Sequence, residues 1–143
     1  MNASVMFSSK KDEWSTPQEL FDELNKEFLF DVDVCALPQN AKCKWYYTPA
    51  DDGLSKPWIG NVWCNPPYGK HIGDWIEKAF FSAKTGVANV VVMLLPARTD
   101  TKWFHEYIYK KRNVEVRFVK GRLKFGDAKS SAPFPSMIVV FWS

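Results

Sequence analysis

Apolar positions recur first at helical spacing and then at strand spacing. Leu20, Phe21, Leu24 and Phe28 lie three or four apart behind Ser15-Thr16-Pro17-Gln18-Glu19. Thr16 is a good N-cap, Pro17 suits the first helical position and Glu19 completes a capping box, so a helix is predicted over 17–27. Residues 29–35 read as a first strand, apolar apart from Asp31 and Asp33. Residues 36–60 are irregular, with one short strand at 45–48 and turn chemistry in Pro49-Ala50-Asp51-Asp52-Gly53. A short strand at 61–64 runs straight into Asn65-Pro66-Pro67-Tyr68-Gly69, and a helix at 74–84 sets Trp75, Ile76, Ala79 and Phe80 on one face. Residues 89–95 form an unbroken apolar run, the pattern of a parallel strand covered by helices on both sides. A helix at 100–111, an alternating strand at 114–119 and an apolar strand at 137–142 follow. Strands alternating with helices predict an α/β sandwich. The 36–60 stretch is too short for two helix–strand units, which predicts a trimmed sheet.

The 143 residues fit one domain, expected to span 14–143 behind a polar, mobile segment at 1–13. An apolar content of 46%, with 24% charged residues, supports a packed core and argues against disorder. No apolar run reaches the roughly 18 residues that span a membrane, and the N-terminus has no secretory h-region, so a cytoplasmic location is expected. Cys35, Cys43 and Cys64 are odd in number and widely spaced, and His71 and His105 complete no ligand pattern. Three reduced thiols, two of them buried at strand ends, and no metal site are expected. Charge is uneven: residues 1–97 hold 9 basic and 12 acidic side chains, residues 98–143 hold 10 and 4. A basic C-terminal third suits a nucleic-acid partner, although it is also compatible with an ordinary solvated surface.

The candidate chemistry centres on Asn65-Pro66-Pro67-Tyr68. By composition this tetrapeptide arises by chance in on the order of one in a few thousand chains of this size. It also sits just past the C-terminal end of a predicted strand, where α/β sheets place their sites. An exocyclic adenine amine is a poor nucleophile because its lone pair is delocalised into the ring. Two acceptors on its two N–H bonds, the Asn65 side-chain oxygen and the Pro66 carbonyl, would pull the nitrogen toward sp³ geometry. The prolines hold those oxygens in advance, and Tyr68 offers a face on which an extruded base can stack. The alternative is a Pro-rich turn with Tyr68 in the core.

This segment resembles the hallmark of amino-methyltransferases, adenine-N6 enzymes in particular. Trp14-Ser15-Thr16-Pro17-Gln18-Glu19-Leu20 is similar to their Thr-Pro helix start, and Phe30-Asp31-Val32-Asp33-Val34-Cys35-Ala36 resembles their first-strand motif. Asp51-Asp52-Gly53-Leu54, Leu94-Leu95-Pro96-Ala97-Arg98-Thr99 and Gly121-Arg122-Leu123-Lys124-Phe125 resemble small phage-type Dam-like DNA N6-adenine methyltransferases, and the likeness covers roughly residues 14–142. It implies a Rossmann-like class I methyltransferase fold, mostly parallel with an antiparallel C-terminal strand. It also implies S-adenosylmethionine as cofactor and double-stranded DNA as substrate, in a bacterial host cell. Thr16 and Pro17 would lie beside the cofactor's carboxylate, Asp33 would receive its ammonium with Cys35 close by, and Asp51 or Asp52 would bind the ribose hydroxyls. Asn65, Pro66, Pro67 and Tyr68 would form the adenine pocket, with Asn65 also touching the cofactor. Phe125 would stack on the base or simply pack, and Arg98, Arg122 and Lys124 would meet phosphates or solvent. One departure is plain: no glycine-rich turn follows Asp33. The length leaves no separate recognition domain, so target choice would come from loops at 98–105 and 120–135 or from a second subunit in a homodimer. Alternatives are an amino-methyltransferase of RNA or of a protein glutamine, and a catalytically silent nucleic-acid-binding module.

Overall fold

The computed structural model describes residues 14–126 and 130–143. The expected mobile segment, 1–13, lies outside the described residues. The elements are α1 (Gln18–Phe28), β1 (Val32–Asp33), β2 (Trp45–Tyr46), a single 3₁₀ turn (Gly53–Ser55), β3 (Gly60–Cys64), α2 (Ile72–Lys84), β4 (Ala88–Pro96), α3 (Lys102–Tyr107), β5 (Val114–Phe118) and β6 (Ser136–Trp142).

The six strands form one sheet in the order β2-β1-β3-β4-β6-β5. β2, β1, β3 and β4 run parallel, and β6 runs antiparallel to both β4 and β5. This is a mostly parallel α/β sheet closed by antiparallel C-terminal strands, the arrangement of a methyltransferase fold. β4 and β6 are buried over nearly their whole length, as their unbroken apolar runs require. β1 is only two residues long; beside it the Asp31 carboxylate accepts the Asn61 amide at 2.8 Å, and Asp33 lines a cavity. Among the described residues, only β2 and the 3₁₀ turn lie between β1 and β3, which is the shortening expected for 36–60.

α1 covers the sheet face that carries Trp63 and Trp142. Phe21 meets Trp63 edge-on with ring centres 5.5 Å apart, and Phe28 lies 5.7 Å from the Trp142 ring. The helix ends where Leu29 turns left-handed (φ 51°) and its amide returns to the Asn25 carbonyl. α2 packs on β4 and β6, and its Trp75 ring lies 6.0 Å from Trp58. Two local expectations are corrected. The capping box does not form: Pro17 precedes α1 with no side-chain cap, because the Thr16 hydroxyl is engaged elsewhere. Of the three cysteines only Cys64 is fully buried, while Cys35 and Cys43 are half-buried; none forms a disulfide. Cys64 ends β3 as expected of a buried strand-end thiol, whereas Cys35, just after β1, is only half-buried.

Candidate active site

From β1 the chain moves outward to β2, then crosses back to β3 on the other side of β1. Neighbouring strands that send their chains in opposite directions leave a crevice at their C-terminal ends. A cavity of about 420 Å³ opens there, lined by Trp14, Thr16, Asp33, Cys35, Asn65 and Pro67 among others. That is large enough for a nucleoside-sized ligand.

Asp33 supplies the charge. It is 3% exposed, and its carboxylate accepts the backbone amides of Cys35 (3.3 Å) and Lys42 (3.0 Å). Burial pushes its pKa up to about 6, against the pull of those two amides and of the Lys42 charge. The loop 37–42 completes this wall with Leu37, Gln39, Asn40 and Lys42, none of which the sequence singles out. The signal available was positional: a polar turn, Pro38-Gln39-Asn40, directly after a strand at the switch point. Asn40 holds the turn by accepting the Leu37 amide at 2.8 Å.

Asn65 follows β3 and shares the cavity wall with Pro66 and Pro67. Its Nδ2 donates to the Trp14 carbonyl and, at 3.0 Å, to Thr16 Oγ1. Its Oδ1 is buried with no hydrogen-bond partner among the described residues. A buried acceptor left unpaired costs roughly 1–3 kcal/mol. Tyr68 is 6% exposed and donates its hydroxyl to the Leu94 carbonyl at 2.8 Å; burial holds its phenol well above the usual pKa. Trp14, Phe125 and Phe134 crowd the Tyr68 ring with centres 6.4, 6.3 and 5.6 Å away. The Trp14 indole N–H inside this cluster is also buried without a partner among the described residues. Tyr68 and Phe125 therefore stand as a packed pair within this cluster.

The remaining expected residues scatter. Pro17 does not line the cavity, and neither do Asp51 or Asp52. Asp51 is occupied by its own turn, accepting the Thr48 amide (2.8 Å) and hydroxyl (3.1 Å), which lowers its pKa. Asp52 is left-handed (φ 56°) and borders a small second cavity that shares Cys35 and Ala36 with the first. Arg98, Arg122 and Lys124 are exposed; the Arg98 guanidinium lies 5.8 Å over the Phe134 ring, and Arg122 reaches the Ala132 carbonyl at 3.5 Å. All three thus border the aromatic cluster or the segment that carries Phe125. That segment is tied to the N-terminal part of the chain by the Gly126 amide, which donates to the Ser15 carbonyl at 3.0 Å.

The fold is that of a methyltransferase, with a switch-point cavity between a buried acid on one strand and an Asn-Pro-Pro-Tyr loop after its neighbour. Residues 3–142 match the DNA N-6-adenine-methyltransferase (Dam) family, and the chain belongs to that family of adenine-specific DNA methyltransferases. It is 32% identical to the DNA N-6-adenine-methyltransferase of Haemophilus phage HP1 (strain HP1c1), over 99% of this chain and 84% of that protein. It is 34% identical to the DNA N-6-adenine-methyltransferase of Escherichia phage T1, over 67% of this chain and 40% of that protein. No described helix is long and apolar enough to cross a membrane.

Proposed function

We propose that the cavity holds S-adenosylmethionine and that Asn65 and Pro66 present an extruded adenine of double-stranded DNA to it for methylation at N6. The buried, unpartnered Oδ1 of Asn65 carries this reading. A buried acceptor with no protein partner has its hydrogen-bonding capacity open to a ligand.

The residues present fit the cofactor. Asp33 is a buried acid at the wall of a cavity of the right size, and a ligand ammonium would neutralise it. Cys35, Asn40 and Lys42 would surround the same ligand. The cofactor supplies a sulfonium-bound methyl group, already joined to a good leaving group. The chain's own part is to orient and to desolvate. Asn65 Oδ1 and the Pro66 carbonyl accept the two amine hydrogens and free the nitrogen lone pair. The prolines keep both oxygens in place beforehand, so little reorganisation remains at the moment of reaction. Opening of the Trp14–Phe125–Phe134 cluster admits the base between aromatic faces, and the flanking Arg98, Arg122 and Lys124 hold the backbone phosphates.

Labelled methyl transfer from S-adenosylmethionine to unmethylated DNA, followed by nucleoside digestion and mass identification, tests the reading. N6-methyladenine is expected, and Asn65→Ala should abolish it while still binding cofactor. Turnover of Asn65→Ala near the wild-type rate would refute the pocket assignment. The site lies in a bacterial host's cytoplasm on this reading, with one copy of the chain or a homodimer acting on each target.

A further inference from the structure

An asparagine amide has an oxygen and an NH₂ of nearly equal size, and nothing in the Asn-Pro-Pro-Tyr tetrapeptide decides which of them faces the base. Turned by 180°, Asn65 would aim N–H groups at an amine that itself offers N–H groups, and the site would repel its substrate. The deciding contacts come from 49 and 51 residues earlier in the chain. Nδ2 donates to Thr16 Oγ1 at 3.0 Å and to the Trp14 carbonyl. A carbonyl only accepts, so the reversed amide would set oxygen against oxygen there. Thr16 is 6% exposed, and its hydroxyl caps no helix.

We infer that Thr16 is a positioning residue for methyl transfer: its buried hydroxyl, together with the Trp14 carbonyl, locks the Asn65 amide so that Oδ1 faces the target amine. The inference rests on Asn65 being the acceptor for that amine. It separates Thr16 from two simpler roles. A helix cap would show in stability alone. A cofactor contact would show in cofactor affinity. A lock on Asn65 shows in kcat and asks only for a hydroxyl, not for the threonine methyl.

The test measures kcat, the KM for DNA, the Kd for S-adenosylmethionine and the melting temperature of Asn65→Ala, Thr16→Val, Thr16→Ala and Thr16→Ser. Thr16→Val should lower kcat about tenfold or more, since the buried NH₂ of Asn65 has lost one of its two acceptors. Its cofactor Kd should stay close to wild type, its melting temperature should fall by no more than one lost buried hydrogen bond accounts for, and Thr16→Ser should restore most of kcat. A valine variant that no longer melts cooperatively passes the test to Thr16→Ala, for which the same split is expected. Wild-type kcat in the variant without a hydroxyl, a loss confined to cofactor Kd, or a serine variant as slow as that variant would each overturn the inference. Should Asn65→Ala turn over normally, the reading of the pocket fails first; should it be inactive while Thr16→Val or Thr16→Ala is not, only the lock fails.

Discussion

Asp33→Asn, combined with a pH titration of cofactor binding, probes the charge at the heart of the cavity. The Asp33 carboxyl is 3% exposed and has its pKa raised from 3.8 to about 6, burial being the largest cause. Two pH units correspond to roughly 3 kcal/mol by which folding disfavours the ionised form. The sign is opposite to that of a salt-bridged aspartate. Above pH 6 the folded protein carries this carboxylate at a cost; between about pH 6 and 4 it takes up a proton that the unfolded chain does not yet bind, so the group's contribution to stability rises as pH falls. A ligand ammonium needs the carboxylate, so affinity moves the other way. The Kd for S-adenosylmethionine should be flat near pH 7 and weaken about tenfold per unit below about pH 6, and it should weaken again above about pH 8 as the ligand's own amine loses its proton. The substituted amide would keep the shape, but its NH₂ would face the backbone N–H of either Cys35 or Lys42. That lost bond, about 1–3 kcal/mol, offsets most of the relief from removing the charge, so the melting temperature at about pH 8 should change little. The variant's Kd should be roughly 10- to 100-fold weaker at about pH 7 and lose the acid-side slope. Isothermal titration calorimetry from about pH 5 to 8.5 reads both. A wild-type Kd flat down to about pH 5, or an Asp33→Asn variant that keeps the slope, would refute the role given to this carboxylate.

Two further perturbations test other parts of the molecule. A Cβ at Gly53 would meet the Val34 carbonyl at 2.3 Å, a backbone atom with nowhere to go, so Gly53→Ala should cost roughly 1–3 kcal/mol in urea denaturation; wild-type stability would show that the 3₁₀ turn yields easily. Replacing Arg98, Arg122 and Lys124 together with alanine should reduce the slope of log K against log salt for DNA binding by nearly one per phosphate contact, about 3 in all. An unchanged slope would assign these side chains to solvent.

Much of the fold was legible because burial imposes a period. The apolar run 89–95 and the final run 137–142 became β4 and β6, with ends shifted by a residue, and the spacing of Leu20, Phe21, Leu24 and Phe28 became α1. Elements without a strong period were read less well. The predicted seven-residue first strand keeps only Val32 and Asp33 as ladder residues, and the helix expected over 100–111 shortens to 102–107. The capping box at Thr16 was sound local chemistry that lost to a distant partner, since a buried amide of Asn65 competes for the same hydroxyl. Asp51 was expected, with Asp52, as a ribose ligand, but its carboxylate is taken by Thr48, three residues away.

The class of sheet, the candidate tetrapeptide and its place after a strand were legible from the chain, because alternation, run length and two adjacent prolines act through near neighbours. Tertiary structure alone decided which polar atoms face the cavity. It brought Thr16 and the Trp14 carbonyl onto Asn65, turned loop 37–42 around Asp33 and closed Trp14, Phe125 and Phe134 over Tyr68. Most of those partners are tens of residues apart in the chain. Hydrogen bonds and ring contacts at such separations exist only once the strands have paired and brought their ends together, so no local pattern could announce them.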